Sequence, residues 1–87
     1  MIREVSATPG FAKLLKRLPA TVRQLVREKL NLYVQDPSHP SLRVKRLKGT
    51  RDVWEMSITM NYRLTFEIQG ERMILRRIGT HDVLRSP

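Results

Sequence analysis

His39 and His81 are the only side chains of this chain whose ordinary protonation equilibrium lies near neutral pH. They stand far apart in the sequence, neither has a second histidine close by, and there is no cysteine, so no metal site is predicted. The eight Asp and Glu residues are scattered, which argues against a two-metal nuclease. No serine-histidine-aspartate signature, glycine-rich phosphate loop or dinucleotide fingerprint is present, and no small-molecule cofactor is expected. Positive charge, in contrast, is abundant. Seventeen Lys and Arg give a net charge of +9 in 87 residues. Twelve of the seventeen are arginine, the cation that forks onto phosphate and stacks on bases.

These residues suit metal-free chemistry on RNA, which carries its own nucleophile in the 2′-hydroxyl. Such a reaction needs a base for that hydroxyl, cations for the charge growing on phosphorus, and an acid for the departing 5′-oxygen. His81 is the candidate proton carrier, and Arg63 and Arg77 are candidate cations for the transition state. Lys45, surrounded by cations in the sequence, is a second candidate for proton transfer. Residues 41–51 read SLRVKRLKGTR, with Arg43, Lys45, Arg46, Lys48 and Arg51 and no acid. Arg43, Arg46, Lys48 and Arg51, with Tyr62, Arg76 and Arg85, form the candidate RNA-binding set. Plainer readings stand beside these. The charge can serve solubility or meet an acidic protein, and His81 can be an exposed histidine near a chain end. Trp54 and Tyr62 can be core residues or plates for a base, with alternation favouring the core for Trp54.

Several elements must position these groups. Ile2–Ser6 reads as a short strand. Thr8 is placed to cap a helix with Pro9 in its first turn, and Phe11, Leu14, Leu15 and Leu18 line one helical face. A second helix from Ala20 to about Gln35 carries Val22, Leu25, Val26, Leu30, Tyr33 and Val34, and the short link predicts an antiparallel pair. The prolines of Asp36–Pro40 stop it. Beyond them the period becomes two. Leu42, Val44 and Leu47 fall in a first extended piece. Trp54, Met56 and Ile58 alternate with Glu55 and Ser57, and Leu64, Phe66 and Ile68 alternate with Arg63, Thr65 and Glu67. A hairpin turn at Gln69-Gly70-Glu71 leads to a last strand, Arg72–Ile78, and Thr80–Pro87 is a short tail.

The expectation is one domain, residues 1–87. Its fold class is α+β in two layers, with an N-terminal strand and an antiparallel helical hairpin on one face of a mostly antiparallel sheet of four to five strands. The other sheet face is expected to stay open to water and to carry Arg63. A turn at Gly70 would set residue 63 roughly across from residue 77, two arginines best explained by an anion between them. The last strand is ambiguous, because Arg76 shares a face with Ile74 and Ile78 while Arg77 shares one with Met73 and Leu75. Arg77 is the favoured one for the open face. The lack of an apolar leader, of a spanning run and of cysteine points to the cytoplasm, away from membranes.

The stretches HPSLRVKRLKG, VWEMSITMNYRLTFEI and ILRRIGTHDVL resemble toxins of the RelE/ParE superfamily of bacterial type II toxin–antitoxin systems. The marks are L-x-G at Leu47–Gly49, Tyr62-Arg63-Leu64 in a strand, and R-x-G-T-H at Arg77–His81. In the RelE branch the resemblance implies a ribosome-dependent endonuclease that cuts mRNA in the ribosomal A site and halts translation. It implies phosphate contact for Arg63 and, from YafQ-like members, catalytic roles for Arg77 and His81. Lys45 stands where those members have a histidine. Glu55 and Ser57 lie on the strand that carries lysines in RelE-like members, and Leu84 and Arg85 stand where an aromatic residue is usual. The implied partners are an acidic cognate antitoxin, the ribosome and mRNA. Two other outcomes remain open: a ParE-like toxin that inhibits DNA gyrase without nuclease chemistry, and a catalytically weak relative that binds RNA or an antitoxin.

Overall fold

The computed structural model describes residues 1–50 and 52–87; Arg51, one of the candidate RNA-binding residues, lies outside the described residues. The chain runs β1 (Glu4–Ala7), α1 (Pro9–Lys16), α2 (Ala20–Gln35), a 3-10 turn (Pro40–Leu42), β2 (Lys45–Arg46), β3 (Trp54–Ser57), β4 (Arg63–Gln69), β5 (Arg72–Gly79) and a second 3-10 turn (His81–Arg85). The strands make one sheet in the order β1-β5-β4-β3-β2. β1 lies parallel to β5, and every other pair is antiparallel. This is the α+β arrangement expected from the sequence.

The local chemistry explains the element boundaries. Thr8 Oγ1 accepts the Phe11 N–H at 3.1 Å and donates to the Arg76 carbonyl at 2.9 Å. One hydroxyl therefore caps α1 and fastens its start to β5. Gly70 sits at φ 63° in the β4–β5 turn and Gly49 at φ 80° after β2, a region that other residues enter at a cost. The L-x-G mark thus has a mechanical basis in the turn between β2 and β3.

Phe11 of α1 and Val26 and Tyr33 of α2 bury against Met56, Leu64, Phe66, Met73, Leu75 and Ile78 of the sheet. Tyr33 meets Phe66 edge to face at 5.2 Å between ring centroids. Trp54 packs half-buried against this cluster, at its border rather than inside it.

Four features differ from the sequence expectation. Leu42 is fully buried but sits in a 3-10 turn, and the strand that follows is only Lys45–Arg46. Pro40 has no amide hydrogen for a ladder, so the chain enters the sheet late. Second, Arg63 pairs with Gly79, and Thr65 pairs with Arg77. The turn and a bulge contribute one residue each: Gln69 pairs with Arg72 across a two-residue turn, and Thr65 opposes Arg77 while Phe66 opposes Leu75, leaving Arg76 as the extra residue. Third, that insertion breaks the alternation of β5. Leu75 and Ile78 both enter the core, so Arg76 and Arg77 both turn to the opposite side. Fourth, the face away from the helices is not simply open. Thr65 is fully buried and Glu55 only 4 % exposed. The short tail forms the second 3-10 turn and delivers the Pro87 carbonyl to Thr65 Oγ1 and Arg76 Nε, both at 3.1 Å.

Candidate nucleic-acid interface

The pairing register lays one polar row across four strands. Lys45 opposes Glu55, Glu55 opposes Thr65, and Thr65 opposes Arg77. Two residues further along the sheet on the same face lies a second row, Ser57, Arg63 and Gly79. His81 follows Gly79 by two residues and opens the 3-10 turn, with Thr80 as its N-cap residue. Strand pairing therefore sets Arg63 and Arg77 in neighbouring rows of the polar side, with His81 two residues past the end of β5.

His81 is exposed, and its imidazole has no hydrogen-bond partner among the described residues. It lines a groove of about 440 Å³ with Met60, Asn61, Tyr62 and Thr80. Tyr62 and His81, which belong to separate marks in the sequence, thus line one groove. An imidazole and a phenol ring lining one groove have the chemistry to exchange a proton and to stack on a planar ring.

Arg63 is less free than its strand position suggested. Its Nη1 donates to the Thr59 carbonyl at 2.6 Å and the Met60 carbonyl at 3.1 Å, bracing the β3–β4 turn. The rest of the guanidinium lines a second cavity of about 300 Å³, together with Lys29, Ser41, Arg43, Ser57, Ile58 and others. Arg43 and Arg63, far apart in sequence, are therefore brought together. Arg63 and Arg77, expected to face each other across a hairpin, occupy neighbouring rows.

The bulge separates the two adjacent arginines chemically. Arg76 Nη1 pairs with Glu67 Oε2 at 3.0 Å while its Nε donates to Pro87. Arg77 is exposed and pairs with no carboxylate among the described residues. Arg77, rather than Arg76, offers a charge to solvent. Lys45 does not lie in a purely cationic neighbourhood: its Nζ is 3.4 Å from Glu55 Oε1. Three strand spacings, about 14 Å, separate its backbone from that of Arg77, so the two bracket the polar face rather than meet on it. Arg46 and Lys48 are exposed at the β2 edge and in the turn after it, and Arg85 is exposed on the C-terminal 3-10 turn.

His39 plays a local part, its Nδ1 accepting the Ser41 N–H at 3.2 Å. Among the described residues no group of three or more His, Cys, Asp or Glu side chains is placed to hold a metal ion. Among the described residues no helix is long and apolar enough to cross a membrane.

Residues 21–83 match the ParE-like toxin domain. The chain belongs to that family. This ParE-like toxin domain is similar in fold to the RelE–RelB antitoxin–toxin complex of Methanococcus jannaschii, at 22 % identity over 91 % of this chain and 93 % of that one, TM-score 0.73. It is similar to the YoeB/ParE toxin of Agrobacterium tumefaciens, at 16 % identity over 91 % and 99 %, TM-score 0.78. The E. coli DinJ–YafQ toxin–antitoxin complex matches at 15 % identity over 97 % and 98 %, TM-score 0.77. No curated protein matched. The likeness to the RelE/ParE superfamily read from Leu47–Gly49, Tyr62–Leu64 and Arg77–His81 is therefore upheld, and the chain is a toxin domain of the ParE-like family.

Two members of this ParE-like site escaped the sequence reading. Glu55 looked like a solvent-facing residue of an alternating strand, and its burial comes from what covers that face, which alternation does not report. Lys29 did leave a signal. It lies at i+3 from Val26 and i−4 from Tyr33, on the apolar stripe of α2 rather than its polar side.

Proposed function

We propose that this toxin is a ribosome-dependent, metal-independent mRNA endoribonuclease that stops translation in the cytoplasm, and that an acidic antitoxin restrains it. One observation carries the reading: an imidazole that is exposed and without a hydrogen-bond partner among the described residues shares a groove with the aromatic ring of Tyr62. A toxin that only binds another protein has no need of a proton carrier there.

In this reading the 2′-hydroxyl of a nucleotide held near Tyr62 attacks the adjacent phosphorus. The 2′-O–P bond forms as the P–O5′ bond breaks, leaving a 2′,3′-cyclic phosphate. The 2′-hydroxyl proton passes to a base and the 5′-oxygen takes up a proton, with His81 serving one of these transfers. Arg77 stabilises the charge on the phosphorane, and Arg63, turned to the neighbouring cavity, contacts phosphate beside it. Lys45, held by Glu55, acts as a phosphate-facing cation at the far end of the row rather than as the base. Arg43, Arg46, Lys48 and Arg85 supply the surrounding positive field. The same field suits an acidic antitoxin, in keeping with the RelB and DinJ complexes of the similar folds.

The test is to map mRNA 5′ ends after brief expression in a bacterial host, wild type beside Arg77→Ala/His81→Ala. Cuts inside translated frames that vanish in the double variant are expected. The ParE-like family match supports a second reading, inhibition of DNA gyrase without nuclease chemistry. It predicts a DNA-damage response with intact mRNA.

A further inference from the structure

The cavity that holds Arg63 is a second, distinct place on this surface, on the other side of the β3–β4 turn from His81. Lys29 from α2, Arg43 after the first 3-10 turn and Arg63 from β4 line it, with the hydroxyl-bearing Ser41, Ser57 and Thr59. No carboxylate lines it, and none of the three cations is ion-paired among the described residues. Three converging cations repel one another unless an anion joins them.

Two details bear on how these charges are placed. Lys29 lies on the apolar stripe of α2 with its stem half-buried, and its Nζ emerges to an exposed contact 3.4 Å from Ser41 Oγ, so the helix directs this ammonium to the cavity. Arg43 is the one non-glycine residue with positive φ among the described residues, at φ 47°, ψ 47°. That conformation is strained for a side chain with a Cβ and free for glycine. The backbone asks for glycine and the sequence supplies a guanidinium.

Met60, 91 % exposed at the tip of the β3–β4 turn, lines both this cavity and the Tyr62–His81 groove. A strand lying across the turn would pass over an apolar side chain of the kind that packs against or between bases. We propose that the Lys29–Arg43–Arg63 cavity binds a backbone phosphate of single-stranded RNA whose neighbouring nucleotide lies at Tyr62 and His81. This rests on the reading of the chain as an RNA-directed toxin and assigns that RNA a second anchor and a path.

The experiment uses the full chain and a short 2′-O-methyl oligoribonucleotide, which cannot be cut because its nucleophile is blocked. Binding is therefore read whether or not the toxin proves to be a nuclease. Affinity is measured by fluorescence anisotropy across a salt series for wild type, Lys29→Met and Arg43→Gly, two changes chosen to suit the apolar stripe and the left-handed backbone. Amide resonances of Ser41 and Ser57 are followed with the oligonucleotide and with inorganic phosphate. Each variant is expected to bind the strand roughly tenfold more weakly. The slope of log K against log salt should be shallower by about 0.7 for a lost phosphate contact. Wild-type affinity and slope in both variants would overturn the proposal. So would shifts at Ser41 and Ser57 with inorganic phosphate but not with the strand, which would make the cavity a free-phosphate site.

Discussion

The Thr65 hydroxyl accepts the backbone N–H of Arg77 at 3.1 Å. This bond closes the bulge that turns both Arg76 and Arg77 away from the core. Thr65→Val keeps the shape but leaves a part-buried N–H without its partner. A loss of about 1–3 kcal/mol is expected in urea unfolding, with faster amide hydrogen exchange at Arg77 than at Met73 on the same strand.

His81 contrasts with Thr65, being exposed and unattached. His81→Ala should change unfolding free energy by less than about 0.5 kcal/mol. If the nuclease reading holds, the same change lowers cleavage by roughly 10²–10⁴-fold. A variant that unfolds more easily and loses activity in proportion would assign His81 a structural part instead.

The Lys45–Glu55 pair is lopsided. Glu55 is buried, its Oε2 has no partner among the described residues, and Lys45 is largely exposed. Solvent screens the attraction, so Lys45→Ala should cost on the order of 1 kcal/mol, mainly by leaving a buried carboxylate unaccompanied. Glu55→Gln removes that burden. The Lys45→Ala change should then be nearly silent in the Glu55→Gln background, a coupling that a double-mutant cycle reads directly.

Burial raises the Tyr33 phenol above its ordinary value. The folded state therefore holds this proton more tightly than the unfolded chain. The stabilisation is complete below about pH 10, the unfolded value, and is lost as pH climbs through the raised folded one. Tyr33→Phe should unfold like wild type near pH 7 and show a flatter decline of stability above pH 10.

Arg43→Gly relieves a left-handed residue and adds freedom to the unfolded chain. The first effect is about 1–2 kcal/mol and the second about 0.4–1 kcal/mol in the opposite sense. Thermal unfolding should show a net gain of roughly 0.5–1 kcal/mol, even as the variant loses a cation from its cavity.

The sequence carried the two-layer architecture because its periods are clean. The α1 face Phe11–Leu14–Leu15–Leu18 and the β4 alternation Leu64–Phe66 each point one way only. It carried the Tyr62–His81 end of the site through local marks on β4 and after β5. It did not carry the β5 register. Counting from Gly70 assumes an unbroken ladder, and Arg76 breaks it through bonds to Thr8 and Pro87 that lie far away in sequence. The burial of Glu55 was hidden for the same reason, since strand alternation names a face but not what lies over it. Lys29 was legible in principle, as the one cation on the buried stripe of α2, but its meaning depends on Arg43 and Ser41 arriving beside it.

The parallel pairing of β1 with β5 has a consequence for how the molecule is made. Glu4 to Ala7 find their partners only at Arg72 to Leu75, so a growing chain holds its first strand unpaired until the fifth has emerged. The helices can form early, but the start of α1 is fastened through Thr8 to Arg76, at the same late stage. Arg77 and His81 come off the ribosome after every strand partner they depend on except their own. Completion of the sheet and assembly of the groove thus coincide, and a ribosome making this toxin meets the finished product only when its own work on residues 1–81 is done.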